Sequence, residues 1–308
     1  MMKLLRFTIP GFFALLLMGS HSCTTNEMLI EKTDEGVWIK EGDAPVLFYQ
    51  TKTKTLNGEY PRADYVHPLY DLNGAVITED FPEDHHHHRG IFWTWHQVWI
   101  GNERIADAWL CEDFIWDVKS IETSAGNNAQ LNARVNWKSP NFKNGTEPFA
   151  NEILTITAYP LKNNKYRMVD FKIEISSLVD SLRIGGSENE KGYGGFSTRI
   201  KLPDDLKFTS GNNPVEPKTN PVEAGPWMNM NATFNGENKS GFVIIQHPKN
   251  PGYVEPWILH KKKSMQNPVY PGREAILLQK AHPLVLQYRI VMYNGESSNF
   301  NPEDVFFE

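Results

Sequence analysis

Apolar and polar residues alternate with a period of two along several stretches of this chain, the spacing of a strand with one buried face. Leu154, Ile156 and Ala158 fall on one face, with Thr155 and Thr157 on the other. Leu284, Leu286, Tyr288, Ile290 and Met292 alternate with Val285, Gln287, Arg289 and Val291. Both of those sets are partly apolar, so that strand is expected near the middle of a sheet. The segment from Glu152 to Ser176 reads as two strands joined by a tight turn at Lys162-Asn163-Asn164-Lys165. Further strands are predicted over Val37 to Lys40, Val46 to Gln50, Ala133 to Trp137 and Gly241 to Gln246, and no window of fifteen residues carries a helical stripe.

With 22 glycines and 20 prolines among many short strands, the expected class is all-β. The expected architecture is one large antiparallel β-sandwich over residues 36–308. The Pro-rich stretch from Asn212 to Pro226 has strand signals on both sides and is read as an excursion within that domain.

Ahead of the domain, Lys3 and Arg6 precede an apolar run from Phe7 to Met18, followed by the small residues Gly19, Ser20 and Ser22. That is the pattern of an export signal. The run is shorter than the roughly 20 residues needed to cross a bilayer. Cys23, followed by Thr24, Thr25 and Asn26, resembles a bacterial lipoprotein site, although Ser20 stands where such sites usually carry Leu. The expectation is a signal peptide over 1–22, a lipid on Cys23 and a tether over 23–35. The protein would then sit in the periplasm or on the cell surface as an outer-membrane lipoprotein, touching the membrane only through its lipid. The other cysteine is Cys111, so acylation of Cys23 leaves no intramolecular disulfide.

The net charge of −6 is made of interspersed acids and bases, which argues against a nucleic-acid partner. Lys261 to Lys263 is the one basic run, and it is read as a solvated loop.

The densest chemistry lies in Asp84-His85-His86-His87-His88-Arg89-Gly90, followed by Phe92, Trp93, Trp95 and His96. Imidazoles move protons near neutral pH or bind metals, and an arginine fork matches a carboxylate. Indole faces beside polar groups suit the apolar faces and hydroxyl rims of sugars, so Trp93, Trp95 and Trp257 are candidate platform residues. In His247-Pro248-Lys249-Asn250-Pro251 a proline-braced turn presents His247 and Asn250, while Lys191-Gly192-Tyr193-Gly194-Gly195-Phe196 presents Tyr193, with Arg199 beyond it. Glu152 is a carboxylate that can pair with a histidine. On a strand, neighbouring histidines point to opposite faces, so His85 and His87, or His86 and His88, could reach one divalent metal, with a carboxylate or His247 to complete it; His85 and His87 are taken as the candidate pair. The Gly-x-Ser-x-Gly elbow, the His-Glu-x-x-His motif and the Walker spacing are all missing from the sequence.

Taken in order, His67-Pro68-Leu69-Tyr70, the segment from Asp84 to Gly90, Asn151-Glu152, Lys191 to Arg199, and His247 to Trp257 with Asn267-Pro268 resemble the bacterial PmoA-like family. The resemblance runs from about His67 to Tyr293. Although that family's name refers to methane oxygenase, an enzyme of that kind needs several membrane spans, and after the leader there are none. What the resemblance implies is a setting among glycan-degrading and sugar-oxidising enzymes. The family pattern has proline where His86 stands here, so His85, His87, His88 and Arg89 carry over and His86 does not. The fold also resembles the galactose-mutarotase-like supersandwich, which binds sugars across one sheet face.

The expected function is acid–base proton transfer on a sugar or acidic oligosaccharide, with elimination first. Its catalytic candidates are His87, His88, Arg89, Glu152, Tyr193 and His247, with Arg89 on a uronate carboxylate. Substrate-binding candidates are His67, Trp93, Trp95, Arg199, Asn250 and Trp257. Mutarotation and non-catalytic glycan binding are the alternatives.

Overall fold

A computed structural model describes residues 27–211 and 213–307, so the leader and Cys23 lie outside the described residues. The described residues fold into two large antiparallel sheets, a four-stranded one and two two-stranded ribbons. The first large sheet has six strands in the order Met28–Lys32, Gly36–Glu41, Ala44–Gln50, Tyr65–Leu69, Ile91–Thr94 and Gly195–Thr198. The second has nine, with Ala129–Lys138, Ala150–Ala158, Tyr166–Ser177, Leu284–Asn294, Ser240–Gln246 and Trp227–Ala232 side by side in its middle. A four-stranded sheet pairs Leu182–Gly185 with Gln97–Ile100.

Period-two patterning produces the core. In Tyr166–Ser177 every second side chain from Arg167 to Ser177 is buried, and Val169, Phe171, Ile173 and Ile175 supply the apolar part of that row. Each such side chain contributes about 1.5–3 kcal/mol on leaving water. Phe196 of the six-stranded sheet stacks on Tyr288 of the nine-stranded sheet at 4.4 Å and meets Phe171 edge-on at 5.3 Å, so the two inner faces interlock. Leu284–Asn294 does lie in the middle of its sheet. Its second apolar row, Val291 and Tyr293, is covered by the C-terminal segment through Phe300 and Val305. The turn between Ala150–Ala158 and Tyr166–Ser177 is tight, with Asn163 and Asn164 both at positive φ.

One sequence expectation shifts and another holds. Met28–Lys32, assigned to a tether, pairs with Gly36–Glu41 as an edge strand. The Pro-rich stretch leaves and re-enters one sheet, because the strands Lys207–Ser210 and Trp227–Ala232 on either side of it pair with each other.

In the core, Glu152 is 1% exposed and accepts from Trp93 Nε1 at 2.7 Å and Trp137 Nε1 at 2.8 Å. Asp64, bonded by the Tyr49 hydroxyl at 2.6 Å, lies against it. Burial raises both carboxyls, and the like charge of Asp64 raises Glu152 further, so the pair holds a proton between the sheets.

Candidate functional site

Alternation also builds the outer face of the six-stranded sheet. Trp93 points inward to Glu152, whereas Phe92 points outward and packs with Tyr65, Trp109 and Met265 beneath a layer of loops. The segment before this strand is not extended. His85 N–H donates to the Pro82 carbonyl at 3.0 Å and His88 N–H to the His85 carbonyl at 2.9 Å, giving two successive turns. The opposite-face arrangement expected of a strand is therefore absent. His85 and His88 stack in parallel at 4.6 Å, His87 meets His88 edge-on at 4.6 Å, and His86 turns away onto Tyr60.

Arg89 locks this double turn. Fully buried, it donates to the carbonyls of His86 at 2.6 Å, His88 at 3.0 Å and Tyr60, and its guanidinium lies 3.6 Å from the Phe81 ring. Its Nε stands 3.4 Å from Asp80, within ion-pair range though without hydrogen-bond geometry. Gly90 follows because a Cβ there would lie 2.3 Å from the Val66 carbonyl oxygen.

Beside the double turn is a pocket of about 320 Å³ whose walls include His85, His87, His88, Trp109, Tyr193 and His260. That volume is within the range of small-molecule sites. Lys191, Lys262, Lys263 and Ser264 stand at its rim. Burial lowers His87 to about 3, pushes His88 well below the usual imidazole range and lowers His260. These rings are neutral at physiological pH and can accept a proton or a hydrogen bond. His88 Nδ1 is buried and has no partner among the described residues.

Asp84 organises the wall. Its carboxylate takes Arg199 Nη2 at 2.7 Å and Nη1 at 3.0 Å, the Ser264 N–H at 2.7 Å and the His85 Nδ1 at 2.9 Å. Burial opposes ionisation, but the bonds from Arg199, His85 and Ser264 hold Asp84 far below the ordinary carboxylate range. An ionised Asp84 accepts from His85 Nδ1–H, and in the tautomer this selects for the uncharged ring Nε2 is the acceptor. A second pair lies behind Tyr193 and Trp109: His96 stacks on Trp109 at 5.4 Å and places Nδ1 2.9 Å from Asp107. Burial and then the Asp107 charge raise the Tyr193 phenol, keeping its proton available.

The sequence candidates therefore separate. His85, His87, His88 and Tyr193 meet at the pocket, and Arg199 supports it through Asp84. Arg89 is occupied inside the loop and does not reach a ligand there. Glu152, Trp93 and Trp95 are core, Trp95 Nε1 donating to the Tyr270 carbonyl, and Trp257 is core as well, donating to Gly225. The sugar-platform expectation falls with them. His247 packs on Phe307 at 4.4 Å, and Asn250 closes a turn by bonding both backbone groups of Gln287, so neither lines the pocket. His67 bonds Thr78 Oγ1 at 3.0 Å and is lowered to about 4 by burial, also away from the pocket walls. Nor do His85 and His87 make a metal site. Among the described residues no group of three or more His, Cys, Asp or Glu side chains could hold an ion, and His85 Nδ1 is taken by Asp84.

Sequence reasoning missed the roles of Asp84, Trp109, Asp107, His260, Lys262 and Lys263. The one available signal was adjacency: Asp84 precedes the histidines, and His260 precedes the lysine run.

Residues 37–306 match DUF6807, described as a family of unknown function. The family found is not the PmoA-like one that the motif series suggested, and that resemblance is withdrawn. No curated protein matches the chain. Among solved structures, a GH36 alpha-galactosidase from Geobacillus stearothermophilus in complex with raffinose aligns at 9% identity and a TM-score of 0.25, covering 87% of this chain and 40% of that one. The chain therefore spans less than half the length of that enzyme.

Proposed function

We propose that this chain, which belongs to the DUF6807 family, is a saccharide-acting enzyme that works by acid–base proton transfer, with elimination as its reaction. One observation carries the reading: His85, its Nδ1 bonded by the ionised Asp84, lies in the wall of a pocket shared with neutral His87 and His88 and a protonated Tyr193. In such a reaction His85 Nε2 takes the proton on the carbon next to a uronate carboxylate. The C–O bond at the neighbouring carbon breaks, a carbon–carbon double bond forms, and Tyr193 O–H gives its proton to the departing oxygen. Trp109 supplies an apolar face for the ring.

The same proposal places the enzyme outside the cytoplasm, held by a lipid on Cys23. Palmitate labelling of the full-length chain in a bacterial host tests this placement. Label is expected on the natural chain and not on Cys23→Ser, and equal labelling of both overturns it.

For the chemistry, the full-length chain is incubated with uronate oligosaccharides while the ultraviolet absorbance of the new double bond is followed. Turnover is expected, and His85→Ala and Tyr193→Phe should each slow it roughly 10²- to 10⁴-fold with the fold intact by circular dichroism. Full activity in His85→Ala, or no new double bond from any uronate, sinks elimination at this site.

A further inference from the structure

The arginines around the pocket are occupied. Arg199 is held by Asp84 and Glu79, and Arg89 by Asp80 and three carbonyls. Three cations at the rim are free by comparison: Lys191, Lys262 and Lys263 make no ion pair among the described residues, whereas their neighbour Lys261 is 2.7 Å from Glu216. No Asp or Glu lines this pocket. Among the side chains of its wall, His88, 1% exposed, leaves Nδ1 without a partner among the described residues.

The lysine loop is held in an unusual conformation. Lys263 and Ser264, neither a glycine, both have positive φ, at 58° and 67°. Two such residues in succession persist where surrounding contacts impose them. Here the contacts come from Asp84, which accepts the Ser264 N–H, and from Arg199, which donates to the Ser264 carbonyl. The carboxylate that holds His85 therefore also holds the lysines at the pocket mouth.

We propose that Lys191, Lys262 and Lys263 form an anion subsite that makes the pocket specific for acidic saccharides, seating their carboxylate or sulfate beside His85. This rests on the acid–base reading of the same pocket and assigns the anion-holding role expected of Arg89 to the lysines. Rim charges of this kind attract ligand over a Debye length and weaken with salt.

Calorimetry on the full-length chain tests the subsite with three probes: trigalacturonate, its methyl ester, and a sulfated galacto-oligosaccharide. Trigalacturonate should bind about tenfold or more tightly than its ester, and the advantage should shrink as salt rises. The combined variant Lys191→Gln, Lys262→Gln, Lys263→Gln should lose that advantage, while Lys261→Gln keeps it. Binding of the sulfated probe assigns the subsite to acidic groups in general, and its failure beside tight trigalacturonate binding assigns it to carboxylates. Equal affinity for acid and ester, unchanged affinity in the triple variant, or no binding of any anionic probe overturns the proposal. Turnover without charge dependence would remove the anion subsite and leave the acid–base reading, whereas lysine-dependent binding without turnover would do the reverse.

Discussion

Asp84 faces three groups that each want its charge: a buried guanidinium, a backbone amide in a left-handed turn and an imidazole. Replacement by Asn keeps the shape and removes the anion. Asp84→Asn should cost about 2 kcal/mol, since Arg199 is 4% exposed and loses its bidentate partner, though Glu79 remains to it. The denaturant midpoint reads that change. Turnover should fall further than stability suggests, roughly 10²-fold, because His85 loses both its tautomer and its position. A variant with normal turnover would show that Asp84 does not orient His85.

At the scale of elements, the double turn from Pro82 to Gly90 is a rigid insert, not a frayed loop, because Arg89 binds three of its neighbouring carbonyls from inside. Lysine retains the charge but lacks the planar fork. Arg89→Lys should therefore lower stability by about 2 kcal/mol and slow uronate turnover while leaving the preference for trigalacturonate over its methyl ester unchanged. A loss of that preference would mean that Arg89 touches ligand after all. The same insert shows where the sequence was legible. Long strands such as Tyr166–Ser177 announce themselves through an unbroken period of two, and every strand predicted on that basis is present. Ile91–Thr94 gave no such signal, because apolar packing on both faces fills inward Trp93 and outward Phe92 alike. Aromatic richness was misread as a sugar platform for the same reason: Trp93, Trp95 and Trp257 serve as core side chains whose N–H groups find buried acceptors. The site histidines were visible as a cluster. Tyr193 was legible too, from its glycine-flanked motif, but Trp109 and His260 were not, since they come from distant segments that only the tertiary fold brings to the histidines.

For the molecule as a whole, buried titratable groups set opposing pH limits. Asp64, raised to about 6 by burial, and Glu152, raised further, keep a proton in the folded state that the unfolded chain releases near pH 4. Their contribution is complete below that value and is lost as pH climbs through 6 and beyond. His87, lowered to about 3, and His88 act in the other direction: their contribution is complete above about 6.5 and fades as pH falls toward 3. Urea midpoints across pH should peak between these limits, and Glu152→Gln should flatten the alkaline side. An alkaline limb unchanged in that variant would contradict the shared proton. The edge strand Met28–Lys32 has a practical consequence of its own. It and Gly195–Thr198, next to the pocket residue Tyr193, are the two outermost of six strands, five spacings or roughly 24 Å apart. A bead, dye or sensor chip coupled ahead of Glu27 is thereby attached at the margin opposite the mouth, and immobilised protein should take up a soluble sugar as freely as protein in solution.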